Sequence, residues 1–227
     1  MYEKFFKRLF DIAISLIGII ILLPIYMLVG LLVLVFLGHP VIFKQPRPGK
    51  NAKIFNLYKF RTMTDKKDKE GNLLPDAERL PKFGKILRKT SFDELPELFN
   101  ILFGKMSFIG PRPMLVRDMV FFDENVMKRQ SVTPGLTGLA QANGRNSINW
   151  DDRFKYDLEY VKNITFMNDI KIAIKTVTTV LKSEGIGEDG GDLSIDYGDY
   201  LLKHKRVTKK EYNKKQKEAK EILKKVK

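Results

Sequence analysis

From Ile12 to Leu37 the chain carries no charge at all: "IAISLIGIIILLPIYMLVGLLVLVFL", 26 residues. As a straight helix this run would be about 39 Å long, more than the ~30 Å hydrocarbon core of a bilayer. It is too long for the apolar core of a signal peptide, and no small-residue cleavage site follows it. The run therefore attaches the chain to a membrane, and two topologies remain open. Length alone fits a single transmembrane span. The flanks argue otherwise, because Lys4, Lys7 and Arg8 precede the run and Lys44, Arg47 and Lys50 follow it. Basic residues at both ends give no inside/outside asymmetry and favour two cytoplasmic ends. Pro24, in the middle, removes a backbone hydrogen bond and clashes with the turn before it, so a kink there can fold the run into a re-entrant hairpin. Broken backbone in lipid then needs rescue by groups such as Ser15 or Tyr26, or by protein packing.

The 227 residues are enough for one domain with a real core and an appendage. With no cysteine, disulfides, zinc–thiolate sites and thiol catalysis are excluded. The two histidines, His39 and His204, lie beside the apolar run and in a basic tail, which argues against a Ser-His-Asp triad or a His-ligated metal. Acid–base, nucleophilic or metal chemistry falls to Asp and Glu. The net charge of +14 suggests nucleic acid, but residues 201–227 hold twelve Lys and Arg against three Glu, leaving only +5 elsewhere. No nucleic-acid-binding pattern accompanies the charge, so no nucleic-acid partner is expected. Within the tail, Ala219, Ile222, Leu223 and Val226 share a helical face, which fits either a helix on anionic lipid or a solvated tail.

Residues 41–63 read as two short strands around a Pro-Gly-Lys-Asn turn. Residues 64–80 are polar, with Gly and Pro, and read as a surface loop. Pro81–Lys89 reads as a short helix. The periodicity of Met114–Gln130 predicts one helix, and "TPGLTGLAQANGRN", Thr133–Asn146, a Gly-rich loop. Asn149 is placed to cap a helix to Lys162, and Asn168 another to Glu184, with Gly185 just beyond.

Asp93 and Glu94 stand side by side in "RKTSFDELPELFN". Ser91-x-x-Glu94 matches a capping box. That register, however, places Pro96 inside the helix, where its missing N–H and its ring conflict with the turns. With Asp93 as the cap, Pro96 falls in the tolerant first turn. An ionised carboxylate at a helix N-terminus then lies beside free N–H groups that can hold phosphate. Arg88 lies five residues earlier, Arg112 is pinned between prolines in "IGPRPM", and Arg145 follows Gly144. Each alone reads as a surface ion pair; together they offer the donors a diphosphate needs. Neither a Walker A motif nor GxGxxG is present. Asp157 and Asp169, at helical spacing among lysines, read as surface acids or as partners for the arginines.

"KFRTM", "LRKTSFDELPELFNILFGKMSFIGPRP" and "TPGLTGLAQANGRN" together resemble the bacterial sugar transferase family of small monotopic phosphoglycosyl transferases. The resemblance covers residues 1 to about 187 and looks nearest to the transferase of bacterial protein N-glycosylation. It implies transfer of a sugar-1-phosphate from a UDP-sugar to undecaprenyl phosphate, with Mg²⁺ and release of UMP, as the first membrane step of glycoconjugate assembly. The family's catalytic dyad corresponds to Asp93 and Glu94, which would also hold the metal. Arg88, Arg112, Arg145 and Lys59 correspond to its substrate phosphate-binding residues. The family's membrane segment is a re-entrant helix broken at a proline, which matches Pro24, although its small-residue–Pro break is Leu23-Pro24 here.

On this basis the expected fold class is α+β and mostly helical. A re-entrant membrane helix occupies 1–38, a catalytic domain with a small β-hairpin 39–187, and a polar then basic tail 188–227. Such a chain would sit monotopically on the cytosolic face of the bacterial inner membrane. With no Cys and no placed His, a carboxylate is the available nucleophile, so the expected mechanism is ping-pong with a phosphosugar on Asp93. Direct transfer in a ternary complex, and a non-catalytic basic scaffold at the membrane surface, are the alternatives.

Overall fold

The computed structural model describes residues 2–144, 148–181 and 195–226. After a short π-helical turn, Tyr2–Phe6, the chain forms α1 (Lys7–Leu37), β1 (Ile42–Pro48), β2 (Ile54–Phe60), α2 (Asp76–Arg79) and α3 (Lys82–Thr90). There follow a 3₁₀ turn at Phe92–Glu94, α4 (Glu97–Leu102), β3 (Ser107–Ile109), α5 (Val116–Met119) and α6 (Glu124–Met127). After a second 3₁₀ turn, Lys128–Ser131, come β4 (Gly135–Thr137), α7 (Leu139–Ala142), α8 (Trp150–Lys162), α9 (Phe166–Leu181), α10 (Tyr197–Lys203) and α11 (Lys209–Lys224). The chain is mostly helical, with β1–β2 and β3–β4 as separate two-stranded sheets. It divides into two compact units: Ile12–Gln45 with Leu57–Phe103, and Met1–Asp11 with Pro46–Asn56 and Gly104–Lys227.

The first unit is built on α1, which is long and apolar enough to cross a membrane. Pro24 stands inside this helix, and the residues on either side of it belong to one continuous element. Ile20, Ile21, Met27 and Val35 are each more than 60% exposed. A helix that is apolar all round and largely uncovered by protein suits a lipid environment. One flank is covered, where Val29, Val33 and Leu37 pack with Phe60 of β2 and Leu87 of α3. The two polar groups expected to rescue a break at Pro24 do other things: Ser15 bonds back to the Ile12 carbonyl, and Tyr26 donates its hydroxyl to the Leu95 carbonyl. Within the expected surface loop 64–80, Asp76–Arg79 forms α2, and Arg79 Nε holds the Thr64 carbonyl at 2.9 Å.

In the second unit β3 and β4 pair in parallel, Ser107 opposite Gly135 and Ile109 opposite Thr137. This corrects the Gly-rich loop expected over Thr133–Asn146, which holds a strand and then α7. Its glycines serve close backbone approach. A Cβ on Gly135 would lie 2.1 Å from the Gly110 nitrogen, and one on Gly138 would lie 2.2 Å from the Gly110 oxygen. The single helix expected over Met114–Gln130 is instead α5, α6 and a 3₁₀ turn. Asp123 interrupts it, because its side chain caps α6 by accepting from the Val126 N–H. Asn149 caps α8 as expected. For α9 the capping hydroxyl is Thr165, which accepts from the Asn168 N–H, so Asn168 lies inside the helix rather than before it. The expected end at Glu184 and Gly185 lies outside the described residues.

Residues 195–226 are folded onto this unit. Tyr197, Tyr200 and Leu201 of α10 share an apolar cluster with Met114, Val126, Trp150 and Phe154. On α11, Ala219 is buried and Ile222 and Leu223 pack against Val116, Met119 and Val120. Three of the four residues of the apolar face expected to meet lipid or solvent thus pack on protein, while Val226 and most of the lysines are exposed. Asp157 and Asp169, expected as surface acids or as partners for Arg88, Arg112 or Arg145, are both buried and take other partners. Asp157 accepts from Arg129, and Asp169 accepts from Lys7, Tyr2 and Tyr160. Burial, with Asp169 beside it, raises the Tyr160 hydroxyl above the ordinary phenol range and keeps it a donor.

Asp118 of α5 accepts from the Tyr197 and Gly198 N–H groups at the start of α10, while its Oδ1 is buried without a hydrogen-bond partner among the described residues. Burial, reinforced by Asp196, raises its carboxyl from an ordinary 3.8 to about 6. The folded protein therefore binds this proton more tightly than the unfolded chain does. The resulting stability is complete below about pH 4 and is lost as pH rises through about 6, amounting to roughly 3 kcal/mol. Asp118→Asn should leave the protein at least as stable at pH 7.5 and flatten the change in unfolding midpoint between pH 5 and 7. Chemical denaturation across that range in both proteins measures it.

Candidate active site

The Asp93–Glu94 pair lies in the first unit, where β2, α3 and α4 fix its backbone. Ser91 closes α3 in a left-handed conformation, φ 58°. Its hydroxyl makes no capping bond, so the capping box is not formed, and the 3₁₀ turn Phe92–Glu94 begins directly after it. The turn continues through Leu95 and Pro96, both right-handed, into α4 at Glu97. Asp93 is therefore inside the turn and not the cap of a regular helix, which corrects the register inferred from Pro96. Pro96 stands just before α4, where a missing N–H costs nothing.

Asp93 is 8% exposed and Glu94 is half-buried. The lysine of "KFRTM" explains how such a concentration of acid is tolerated. Lys59 Nζ lies 2.6 Å from Glu94 Oε1 and 3.2 Å from Glu97 Oε1, and Glu97 is 1% exposed. Lys59, expected to bind substrate phosphate, thus already pairs with the two glutamates. Asn100, also buried, accepts the Tyr58 N–H at 2.9 Å and fixes α4 against β2. Tyr26 holds the Leu95 carbonyl from α1 and packs against Phe60 and Phe99. On the other side of the turn, α3 lies so close to Thr62 that a Cβ on Gly84 would come 1.9 Å from its carbonyl oxygen. Arg88, exposed on α3, donates from Nε to the Thr62 hydroxyl at 3.0 Å.

Arg112 belongs to the second unit. Its carbonyl accepts from Arg129 Nη2 at 2.7 Å, and its own Nη1 lies 3.5 Å from the Leu136 carbonyl. Arg129, 2% exposed, is held in turn by Asp157 through Nε and Nη2. Arg47 donates to the Pro113 carbonyl, so two buttresses hold the Pro-Arg-Pro loop. Arg145 lies outside the described residues.

Sequence reading missed Glu97, Asn100 and Arg129. Only Glu97 left a trace, since it stands one helical turn after Glu94. For a cation the chemistry of the donor set is suitable, because adjacent carboxylates supply hard oxygen ligands. No group of three or more potential metal-ligating side chains occurs among the described residues. Two carboxylates completed by substrate phosphates are the arrangement Mg²⁺ ordinarily takes.

Residues 2–183 match the family model described as bacterial sugar transferase. The chain belongs to that family and is an enzyme of the phosphoglycosyl transferase class. It is 48% identical over 180 residues to an uncharacterized sugar transferase, EpsL, of Bacillus subtilis, covering 79% of this chain and 89% of that protein. It is 37% identical over 201 residues to an undecaprenyl-phosphate galactose phosphotransferase of Salmonella typhimurium, covering 81% of this chain. It is also 40% identical over 185 residues to a UDP-glucose:undecaprenyl-phosphate glucose-1-phosphate transferase of Klebsiella pneumoniae, covering 76% of this chain. The matched region spans only 42% and 39% of the last two proteins.

Removing Lys59 would take from Glu94 and Glu97 the ammonium that they share. Lys59→Met should therefore destabilise the protein by about 3 kcal/mol. Adding Glu97→Gln should restore at least half of that loss, as read from chemical unfolding of the single and double variants.

Proposed function

We propose that this enzyme moves a sugar-1-phosphate from a UDP-sugar to undecaprenyl phosphate and releases UMP. The observation that carries the proposal is the buried Asp93 on a turn braced from three sides, in a chain of this family. The two relatives named for their lipid acceptor support the choice of acceptor, and one of them is named for UDP-glucose. Their names specify galactose and glucose, which makes both sugars candidates alongside the N-acetylated amino sugars.

The chemistry we infer is double displacement. A carboxylate oxygen of Asp93 attacks the sugar-bearing phosphorus. The bond from that phosphorus to the bridging oxygen breaks, and UMP leaves with the oxygen and its electron pair. An oxygen of undecaprenyl phosphate then attacks the same phosphorus and displaces Asp93, which returns as a carboxylate. No proton has to move in either step, which suits a site built without histidine. Mg²⁺ bound at the carboxylates would neutralise charge on the donor's phosphates. Glu94, steadied by Lys59, would hold that ion or orient Asp93. Arg88 and Arg112, with Arg145, would bind phosphate oxygens. A braced turn contributes by holding the attacking oxygen in line, and positioning of this kind supplies much of the rate in phosphoryl transfer.

The acceptor's phosphate resides at headgroup level, so we also propose that α1 enters and leaves the membrane on the cytosolic face, with Pro24 at the turning point. Basic residues at both ends of the helix support this reading.

The test is UMP release with undecaprenyl phosphate over a panel of UDP-sugars. One donor class should dominate, and EDTA should abolish release until Mg²⁺ is restored. Asp93→Asn should lower kcat by about 10³-fold or more with the fold intact. Retention of a tenth of the activity by that variant would refute its role as nucleophile.

A further inference from the structure

We infer that the C-terminal helices α10 and α11 are a positioning element for the Arg112 loop. The inference rests on the reading of Arg112 as a phosphate ligand and extends it to a segment that the family match, ending at residue 183, does not include. The Arg112 loop leaves β3 at Ile109 and enters α5 at Val116; Arg129 and Arg47 brace its middle, and its course also depends on what holds its two ends. At the β3 end the Gly110 N–H reaches the Thr137 carbonyl, and the Gly135 N–H reaches the Pro111 carbonyl. At the α5 end the anchor is apolar. Met114, two residues past Arg112, is 5% exposed and sits in a cluster of seven buried residues, three of which are Tyr197, Tyr200 and Leu201 of α10.

Beyond Met114, α5 itself is clasped. Arg117 bridges Asp196 at 3.1 Å and Asp199 at 3.0 Å. Tyr212 of α11 donates to Asp199, and Gln216 Nε2 lies 3.4 Å from the Arg117 carbonyl. Asp118 receives the first N–H groups of α10, and Ala219 of α11 is buried against Val116, Met119 and Val120. A helix of four residues cannot hold its own position by backbone hydrogen bonding. The direction in which α5 leaves the Arg112 loop therefore depends on these contacts from the tail, together with Ala52 and Ile54 in the same apolar cluster. Loss of the tail contacts would leave Asp93 and its turn unchanged and let the guanidinium wander, which weakens donor binding more than turnover.

Two full-length variants test this, neither altering a residue of the site: Tyr197→Ala with Leu201→Ala, and Arg117→Gln. In folded protein the double variant should raise KM for the UDP-sugar about 5- to 10-fold and change kcat less than about twofold. Arg117→Gln should raise KM about 2- to 3-fold, with Arg117→Lys restoring most of it. In an Arg112→Ala background the same changes should shift KM by less than about twofold, because the ligand they position is gone. Unchanged KM in the Arg112-containing variants, or equal shifts in both backgrounds, would overturn the inference. If the double variant does not fold, Arg117→Gln and its rescue decide alone. If Arg112→Ala by itself leaves KM unchanged, the role given to Arg112 is wrong, and the inference falls with it.

Discussion

The ammonium of Lys59 is what allows an acidic turn to exist at this place in the fold. Glu97 is almost wholly buried and Glu94 half-buried, both within 3.2 Å of that cation, and Asp93 immediately precedes Glu94 in the same turn. Burying a carboxylate costs several kcal/mol unless it is paired, and Lys59 supplies pairing to both glutamates at once. The pair also ties β2 to the start of α4, a job that Asn100 repeats through the Tyr58 N–H. Charge compensation and backbone registration are therefore one event. The turn that carries Asp93 inherits its rigidity from both.

The membrane helix takes part in the same construction. Tyr26, two residues beyond Pro24, reaches the carbonyl of Leu95, the residue after Glu94, and its ring lies against Phe60 and Phe99. The proposed turning point of the helix is thus linked through one side chain to the proposed nucleophilic turn. An acceptor whose phosphate lies at headgroup level and whose chain lies in lipid would meet both features at once. We regard this link as the physical reason for combining an apolar anchor with a carboxylate site in one unit.

The sequence was most legible where a signal is local. The apolar run, the β1–β2 pairing and the Asn149 cap all follow from neighbouring residues. Errors came where a distant partner decides. Asp157 and Asp169 look like surface acids until Arg129 and Lys7 are placed beside them. The glycines of "TPGLTGLAQANGRN" look like a loop because sequence does not separate a turn from a close strand crossing. The left-handed Ser91 moved the start of the helix past Asp93, and a serine gives no warning of that conformation. The tail reads as a basic appendage because its apolar face is narrow, and that face is matched by α5 and by Ala52 and Ile54, far away in sequence.

The proposed mechanism turns on Asp93 as a covalent nucleophile. The most direct measurement is the intact and peptide mass of the protein after incubation with its UDP-sugar and Mg²⁺ and without acceptor. The expected result is a gain equal to one sugar phosphate, on the peptide containing Asp93, that disappears when undecaprenyl phosphate is added. Full turnover in the presence of acceptor, with no adduct on Asp93 at any time in its absence, would contradict it.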